Sequence, residues 1–351
     1  MISTAIVTSE LSTTLLDEWR DLHVRVGHFP FTNPIIVRAW WNHHGQAAGH
    51  TLHVATAHYG NRLVAIAPLT VFRYKGLHVL QWAGSKDFGY CDALCETAEA
   101  QAALWQAVRQ SRRYDIGLIK NLHSNSKSYG FVGGFSRRVR RGANYVIDVK
   151  WPSGNVWMKE AVTNHSRKHY RNLENQLKMR GELKLEIFRD GVVPLNVLSA
   201  LVEQKAGWSK RKKKFCMFDR QQETLSMLTD LSQDATEEGI LFIAWLQLNV
   251  EVIATLYAMI QNNVMYCMFT SYDAAWYKYS PGRLLLFKLF AWAMDNGITK
   301  IDLMQGENDY KKGVAKLSPI PLDDFTFPVS ILGRVAEPIL ARTYFKSYRR
   351  K

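Results

Sequence analysis

Short apolar runs separated by turn residues predict a three-strand meander in the second half of the chain. Residues 241–248, 252–260 and 264–272 are rich in β-branched and aromatic residues, and the turn sequences NVE and QNN separate them. A helix-like apolar run, residues 281–296, follows and ends before Gly297, a residue suited to the position just after a helix. The apolar sequence ITKIDLM then predicts one more strand.

The first half of the chain repeats this order of elements. Residues 51–58 and 63–72 read as strands with the turn YGN between them, and a third strand begins at Leu77. Residues 96–112 predict the helix, and residues 115–120 predict the strand after it. Because the copies lie about two hundred residues apart, they predict two tandem domains, each with a mixed sheet flanked by helices.

The predicted fold class is therefore α/β, with mixed α+β sheets in two domains. The sequence YVIDVKWPSG ends a strand and opens a turn, which places the boundary near the middle of the chain. We predict an N-terminal domain over residues 1–145 and a C-terminal domain over residues 146–317. Residues 318–351 contain prolines and end in the basic sequence KSYRRK, which predicts a covering segment.

A strongly basic helix is predicted within residues 163–181, which contain NHSRKHYRNLENQLKMRG. Tyr170, Leu173 and Leu177 recur at helical spacing and predict its buried face. Two histidines of this helix stand four residues apart, a spacing that can hold a metal ion. Neither an HExxH motif nor a third ligand accompanies them, so we predict no metal site.

The charge balance favours acidic partners. The chain has 45 Lys and Arg residues against 31 Asp and Glu residues, a formal net charge of +14 and a pI near 9.6. Such a balance suits nucleotides, phosphorylated carriers, nucleic acid or an anionic membrane surface, without choosing among them. The consecutive basic residues Lys210–Lys214 predict a solvated face.

Cysteine usage and hydropathy predict a cytoplasmic protein without a membrane span. The four cysteines are scattered and form no CxxC pair, which favours reduced thiols. The N-terminal sequence lacks the basic region and continuous apolar core of a signal peptide. The most lipid-like stretch is residues 241–260, but Gln247, Asn249 and Glu251 interrupt it, so two buried strands explain it better.

The sequence YSPGR at the start of the predicted helix has two interpretations. Ser280 is a suitable N-cap and Pro281 suits the first helical position, so ordinary capping explains it. Alternatively, Gly282 leaves the following N–H groups unshielded, and a bound anion would offset the unfavourable place of Arg283 at the positive end of the helix dipole. Residues 89–92, the corresponding part of the first half, show no such opening, which favours one binding domain and one supporting domain.

Several segments carry a family resemblance. The C-terminal signature of the GNAT-type acetyltransferases called BioF2-like or CelD-like is similar to residues 270–312, TSYDAAWYKYSPGRLLLFKLFAWAMDNGITKIDLMQGENDYKK. The family's arginine-rich helix resembles NHSRKHYRNLENQLKMRGELKLEIF, and its N-terminal domain resembles WRDLH, NPIIVRAWWNHHG and LVAIAPLTVFRYKGLHVLQWAGSKDFGYCDAL. The Fem aminoacyl-transferases are more distant relatives. The resemblance covers most of residues 15–315.

The resemblance implies two tandem GNAT-like domains, with acetyl-CoA or another acyl-CoA as co-substrate. Residues 1–145 would then support the acceptor side, and residues 146–317 would form the catalytic domain that binds acyl-CoA. The pyrophosphate of the donor lies in GNAT proteins on a helix that opens with R/Q-x-x-G-x-G/A, whereas this chain has YSPGR with one glycine. The implied acceptor is an amino sugar or another precursor of cell-envelope or extracellular polysaccharide.

Two other functions stay open. Fem proteins take their donor from charged tRNA, so a Fem-like transfer of an aminoacyl group to a peptidoglycan precursor is the first. The second is a binding protein on a degenerate GNAT scaffold, because the helix opening has one glycine. We predict no transmembrane segment, leave peripheral membrane association open, and expect no nucleic-acid partner other than tRNA in the Fem-like alternative.

Acyl transfer from a thioester needs a held donor, a polarised carbonyl, a deprotonated nucleophile and a stabilised thiolate. Carboxylates near a strand end are the predicted bases, and tyrosines near the helix opening are the predicted proton donors. The candidate catalytic residues are Asp302, Glu307, Tyr272 and Tyr279. The candidate donor-binding residues are Thr270, Ser271, Ser280, Pro281, Gly282 and Arg283. The candidate acceptor-binding residues are Trp208, Lys210, Asp273, Gln305, Gly306, Tyr310, Lys311, Arg167 and Arg171.

Overall fold

The structure, a computed structural model, describes residues 1–27, 29–305 and 318–349, with side chains up to residue 341. It divides the chain into two units. Unit 1 comprises Met1–Ala143 with Ile320–Lys351, and unit 2 comprises Asn144–Pro319. The expected covering segment, residues 318–351, thus contributes its residues from 320 onward to unit 1.

The described elements are numbered in chain order. The strands are β1 (Ile2–Val7), β2 (Thr51–Leu52), β3 (Val54–Tyr59), β4 (Arg62–Ala67), β5 (Leu69–Tyr74), β6 (Leu77–Trp82), β7 (Leu94–Cys95), β8 (Ile116–His123), β9 (Arg137–Asp148), β10 (Leu183–Phe188), β11 (Leu241–Leu248), β12 (Glu251–Gln261), β13 (Val264–Tyr272), β14 (Lys300–Gln305) and β15 (Ser318–Pro328). The α-helices are α1 (Thr13–Val26), α2 (Pro34–Trp40), α3 (Ala98–Gln110), α4 (Lys127–Phe135), α5 (Gly154–Glu160), α6 (Asn164–Lys178), α7 (Leu195–Lys212), α8 (Gln221–Glu237), α9 (Pro281–Asp295) and α10 (Ile331–Arg349). Short 3-10 helices span Pro30–Thr32, Met217–Asp219 and Ala274–Tyr279, and a π-helix spans Trp41–Gly45.

Unit 1 contains two sheets. One has the order β1-β3-β4-β7, and in the other β15-β8-β6-β5-β2 lie side by side. The strands predicted over residues 51–58 and 63–72 are each divided between the two sheets, at His53 and Pro68. Proline has no N–H to donate to a strand ladder, so a change of sheet at Pro68 loses no ladder hydrogen bond.

Unit 2 has a mixed sheet with helices on both faces. Its strands follow the order β10-β11-β12-β13-β14-β9, in which β9 contributes residues 144–148. Neighbours in this sheet are antiparallel except β13 and β14, which are parallel. The meander predicted over residues 241–272 is confirmed as β11, β12 and β13, and the predicted helix after it is α9.

Helices α5, α6 and α9 cover one face of the unit 2 sheet. Phe287 of α9 packs against Trp157 of α5, with 5.2 Å between ring centroids, and stacks on Tyr170 of α6 at 4.1 Å. Full burial of a phenylalanine side chain stabilises the folded state by about 1.5–3 kcal/mol. Tyr170, Leu173 and Leu177 are the buried residues of α6, so the predicted buried face is confirmed.

Helices α7 and α8 cover the other face. Ser232 of α8 lies 3.2 Å from the Tyr257 hydroxyl of β12, oxygen to oxygen. Gln204 of α7 donates a hydrogen bond from Nε2 to the Val252 carbonyl at 2.7 Å and accepts one at Oε1 from the Ser271 hydroxyl at 2.7 Å. These bonds fix α7 against the ends of β12 and β13.

Candidate functional site

The parallel strands β13 and β14 separate part-way along their length. Three residue pairs join them, from Val264 with Lys300 to Tyr266 with Asp302. β13 then continues for six residues and β14 for three, with no further pairing between them among the described residues. Parallel strands that separate in this way leave two facing backbone edges, between which a ligand can bind.

A β-bulge at Met268 determines which side chains of β13 share a face. Cys267 pairs with Ala258 of β12 and Phe269 pairs with Tyr257, so Met268 is the extra residue of β13. A side chain's face alternates along a strand, and one extra residue inverts that alternation. The residues after the bulge therefore lie on the faces opposite to those that simple alternation predicts.

The predicted donor-binding residues of β13 lie on different faces. Ser271 is buried on the α7 face, where it donates its hydrogen bond to Gln204. Thr270 pairs with Leu256 of β12, a core residue of the α9 face, and so lies on that face. Tyr272 lies on the same face, near Gly282 of α9.

Asp302 is a buried carboxylate at the last position of β14 that pairs with β13. It is 3% exposed. Its Oδ2 accepts a hydrogen bond from Asn144 Nδ2 at 2.8 Å, and its Oδ1 accepts one from the Met304 N–H at 2.7 Å. Met304 has a φ of +59°, a left-handed conformation that costs a non-glycine residue about 1–2 kcal/mol. Strained backbone of this kind is concentrated at functional sites.

Tyr266 is a residue at this site that the sequence did not identify. It pairs with Asp302 across the parallel strands and is 5% exposed. Burial, together with the nearby charge of Asp302, raises the pKa of Tyr266, so its hydroxyl keeps its proton at neutral pH. The alternation of residue types in VMYCMFTSY does not single out Tyr266, because that alternation does not show where β14 separates from β13.

Helix α9 begins just after β13, with Ser280 as its N-cap residue. Ser280 is thus the N-cap residue, but its side chain makes none of the hydrogen bonds that the interpretation of ordinary capping requires. The reason is its left-handed backbone, with φ 47° and ψ 50°, because a capping side chain needs an extended backbone. Pro281 occupies the first turn as predicted, and no acidic residue lies in that turn.

Gly282 presents an open N–H at this helix start. The N–H groups of the next two residues both donate to the Ser280 carbonyl, at 3.0 and 3.1 Å, whereas none of the described residues accepts from the Gly282 N–H. A Cβ added at Gly282 would meet its nearest neighbour, Tyr272 Cδ1, at the ordinary contact distance of 3.5 Å. The fold therefore does not require glycine here, and the space beside β13 stays open.

Cationic side chains lie around the start of α9. Arg283 is exposed in the first turn. Burial raises the pKa of Tyr170, and the positive charge of Arg283 opposes that shift. Arg180 and Lys278 lie over the ring of Tyr279, at 4.6 and 4.9 Å from its centroid. Positive side chains and the helix dipole together favour an anion at this place.

Helix α7 places an aromatic and cationic cluster on the other face. The ring centroid of Trp208 lies 5.4 Å from Lys205 Nζ and 5.6 Å from Lys214 Nζ. Lys205 Nζ is also 5.7 Å from the ring centroid of Phe218, and that ring packs edge-to-face on Phe269 of β13 at 5.3 Å. The cluster thus reaches the part of β13 that β14 has left.

Lys205 is a second residue that the sequence did not identify. It is half-buried, whereas the predicted Lys210 is exposed near the end of α7. Burial lowers the pKa of Lys205, and the nearby Cys216 opposes that shift. No described carboxylate forms an ion pair with Lys205. The sequence does not single out Lys205, because the run of basic residues that follows it is the more conspicuous feature.

The remaining predicted residues occupy varied places. Tyr279 is 4% exposed, with its ring in the core. Asp273 caps the 3-10 helix after β13 by accepting from the N–H two residues on, at 2.9 Å. Arg167 donates to backbone carbonyls at the end of α5, while Arg171 and Gln305 are exposed. Outside the described residues lie Gly306, Glu307, Tyr310 and Lys311.

The part of the chain that the structure describes contains neither a metal-ligand cluster nor a helix able to cross a membrane. Its described residues contain no group of three or more His, Cys, Asp or Glu side chains able to hold a metal ion. No helix in that part combines the length and the apolar character that crossing a membrane requires.

A comparison with protein families gives a match within unit 2. Residues 164–312, which contain the separated strands and α9, match the acetyltransferase (GNAT) domain family. This part of the chain is a GNAT acyltransferase domain. The expected resemblance is confirmed, and so is the prediction that the protein is an acyltransferase. No curated protein sequence matches the chain.

Solved structures of similar fold cover almost the whole chain, including the part outside the GNAT match. FemX has 9% identity and a TM-score of 0.60, with 95% of this chain and 100% of that chain covered. L-PGS from Bacillus licheniformis has 11% identity and a TM-score of 0.59, with 98% and 99% covered. The C-terminal domain of a putative lysylphosphatidylglycerol synthetase from Agrobacterium fabrum has 11% identity and a TM-score of 0.56, with 94% and 95% covered. The predicted fold class of mixed α/β sheets is confirmed, and the match to a GNAT domain covers residues 164–312.

Proposed function

We propose that this protein is an acyl-CoA-dependent N- or O-acyltransferase that binds its donor between β13 and β14. The observation that carries the proposal is the separation of these parallel strands beside the open N–H at the start of α9. The separated edges offer backbone groups to the acyl-pantetheine arm, and α9 offers an amide and the helix dipole to the pyrophosphate. The GNAT domain match supports this class of donor.

The reaction is attack by an amine or hydroxyl of the acceptor on the thioester carbonyl carbon. The nucleophile gives its proton to a base, and the carbonyl oxygen becomes negative in the tetrahedral intermediate. The C–S bond then breaks, and the CoA thiolate takes up a proton. We assign stabilisation of the oxyanion to backbone N–H groups of β13 beyond the bulge, since fixed dipoles aimed at a developing charge are strong contributors to catalysis.

We assign the base to Asp302, and the thiolate takes its proton from water. Asp302 lies where the strands separate, and both of its oxygens already accept hydrogen bonds. It would therefore accept the proton through a water molecule or the neighbouring Tyr266. Neither predicted tyrosine enters this assignment, because Tyr272 lies beside the pyrophosphate position, at the opposite end of the pantetheine arm from the thiolate, and the ring of Tyr279 is in the core.

We propose that the acceptor carries an anionic group. Lys205 presents a cation beside the part of β13 that β14 has left, and the described residues provide it with no carboxylate partner. A phosphate or carboxylate of the acceptor would supply that partner. A precursor of envelope or extracellular polysaccharide, as the family resemblance implies, includes such groups. The cysteines, free thiols of which three are buried, suit a cytoplasmic enzyme.

Calorimetric titration with acetyl-CoA tests the proposal. Gly282→Glu should abolish binding, because it places a carboxylate where the pyrophosphate lies. Gly282→Ala should weaken binding while the unfolding free energy stays equal or rises, because the added methyl group fits the fold and alanine favours helices. Gly130→Glu, on a helical glycine of unit 1 with open space around it, is the matched control and should bind as the wild type does.

Equal binding of acetyl-CoA by the wild type and Gly282→Glu would show that the pyrophosphate does not bind at the start of α9. Absence of binding to the wild type would favour charged tRNA as the donor, which the exposed basic residues at the end of α7 also suit. A steep salt dependence of tRNA binding, reduced by neutralising Lys210–Lys214, would then identify that donor. Binding of neither donor would leave a GNAT scaffold without catalysis.

A further inference from the structure

We propose that helix α10 of unit 1 binds an anionic membrane surface. The helix presents a row of exposed apolar side chains in which Ile331, Val335 and Ile339 follow one another at intervals of four residues. Their exposed fractions are 81%, 68% and 63%, and Leu332 beside them is 54% exposed. Residues at intervals of four share one face of a helix, so these side chains form a continuous apolar surface, here called the α10 surface.

The opposite face of α10 is fixed to unit 1. Ala336 and Leu340 pack against the apolar cluster around β6 and β8. The Thr326 hydroxyl donates to Glu337 Oε1 at 2.6 Å. Gly333 lies so close to the backbone of Asp115 that a Cβ would come within 2.0 Å of its carbonyl oxygen. The helix is therefore anchored through one face, and its apolar exposure is not a consequence of loose packing.

The charges of this segment determine which occupant fits the α10 surface. Residues 331–351 contain six basic residues and one acidic residue, Glu337, and the chain as a whole carries a formal charge of +14. A second copy of this segment would bring like charges together, which opposes association. An interface rich in anionic lipid accepts apolar side chains and attracts cations at once, which is the combination that surface-bound amphipathic helices use.

Flotation with lipid vesicles tests this inference on the full chain. The wild type should bind vesicles of phosphatidylcholine that contain phosphatidylglycerol, and bind weakly to vesicles of phosphatidylcholine alone. The triple variant Ile331→Ser, Val335→Ser, Ile339→Ser should bind the anionic vesicles on the order of tenfold more weakly. Val24→Ser, Val192→Ser, Val250→Ser removes three valines from other places that are 80%, 93% and 89% exposed, and this variant should bind as the wild type does.

A second control separates this surface from general attraction by net charge. Lys210→Gln, Arg211→Gln, Lys212→Gln removes three exposed charges of α7 and should retain most of the binding. The inference would be overturned if the α10 variant bound as the wild type did, if the α7 variant lost binding to the same degree, or if the wild type did not bind. It would also be overturned if the wild type were a dimer that the α10 variant converts to a monomer, since a second copy would then be the occupant.

Discussion

At the scale of single residues, the partial burial of Lys205 costs stability rather than adding to it. Its half-buried ammonium group contacts two aromatic rings and forms no ion pair with a described residue. Each cation–π contact contributes about 0.5–1 kcal/mol, whereas a charge removed from water without a partner costs more. A residue that lowers stability is typical of a functional site.

Lys205→Met should therefore raise the free energy of unfolding, by about 1 kcal/mol at neutral pH. Burial lowers the pKa of Lys205, so the folded wild type binds fewer protons than the unfolded chain and gains stability as pH rises toward the ordinary lysine value. The advantage of the variant should accordingly shrink as pH rises. Urea unfolding across a pH series measures this effect.

Lys210→Met is the control for that series, because Lys210 is exposed on the same helix and its replacement should change little. If Lys205→Met instead lowered stability at neutral pH, Lys205 would be a structural residue and the proposed anionic acceptor would lose its main support.

At the scale of elements, one carboxylate joins the basic helix α6 to α9. Glu174 of α6 forms ion pairs with Lys178 of the same helix at 2.8 Å and with Lys288 of α9 at 3.0 Å. Partial burial acts to raise the pKa of Glu174, but the two ammonium groups outweigh it and hold that pKa below its ordinary value. The pair thus fixes the helix that carries Gly282 to its neighbour.

Glu174→Gln should lower the free energy of unfolding at neutral pH, by roughly 0.2–1 kcal/mol for a partly exposed pair. Because the folded-state pKa is lowered, the stabilisation is present above the ordinary pKa of glutamate and is lost as pH falls through the folded-state value. The difference between wild type and variant should vanish in acid, as urea unfolding can show. Glu182→Gln, in a more exposed pair with Lys184, is the control and should have a smaller effect. If the difference in unfolding free energy persisted in acid, the stability lost in Glu174→Gln would come from packing and not from the ion pairs.

The same scale shows what the sequence can and cannot predict. The meander of unit 2, the position of α9 and the buried face of α6 follow from apolar periodicity, because each is a local pattern. The bulge at Met268 does not, because it arises from the pairing of β13 with β12. The bulge places Thr270 and Ser271 on the sheet faces opposite to those that simple alternation predicts.

The details of the site depend on geometry that no local pattern contains. The left-handed conformations of Ser280 and Met304 occur at residue types that seldom adopt them, so the sequence gives no warning of either. Tyr266 and Lys205 gain their importance from where β14 leaves β13 and where α7 crosses it. The sequence marks YSPGR as the start of a helix, but it does not show that the structure has an open amide there rather than a serine cap.

At the scale of the whole molecule, the two units have similar elements but different helix starts. β6 and β8 of unit 1 are also a parallel pair, and α3 precedes β8 as α9 precedes β14. The start of α3 is closed, because the Thr97 side chain accepts from the Ala100 N–H at 3.1 Å and Glu99 lies in the first turn. A capped amide and a carboxylate disfavour an anion, so we expect one donor molecule per chain, in unit 2.

Hydrogen–deuterium exchange with and without acetyl-CoA tests the central claim most directly, because it locates the donor without altering the chain. Acetyl-CoA should slow amide exchange in residues 267–272 and 280–284, and leave residues 97–100 at the start of α3 unchanged. Slower exchange at the start of α3, or no change in either segment of unit 2 at saturating acetyl-CoA, would contradict a donor site between β13 and β14.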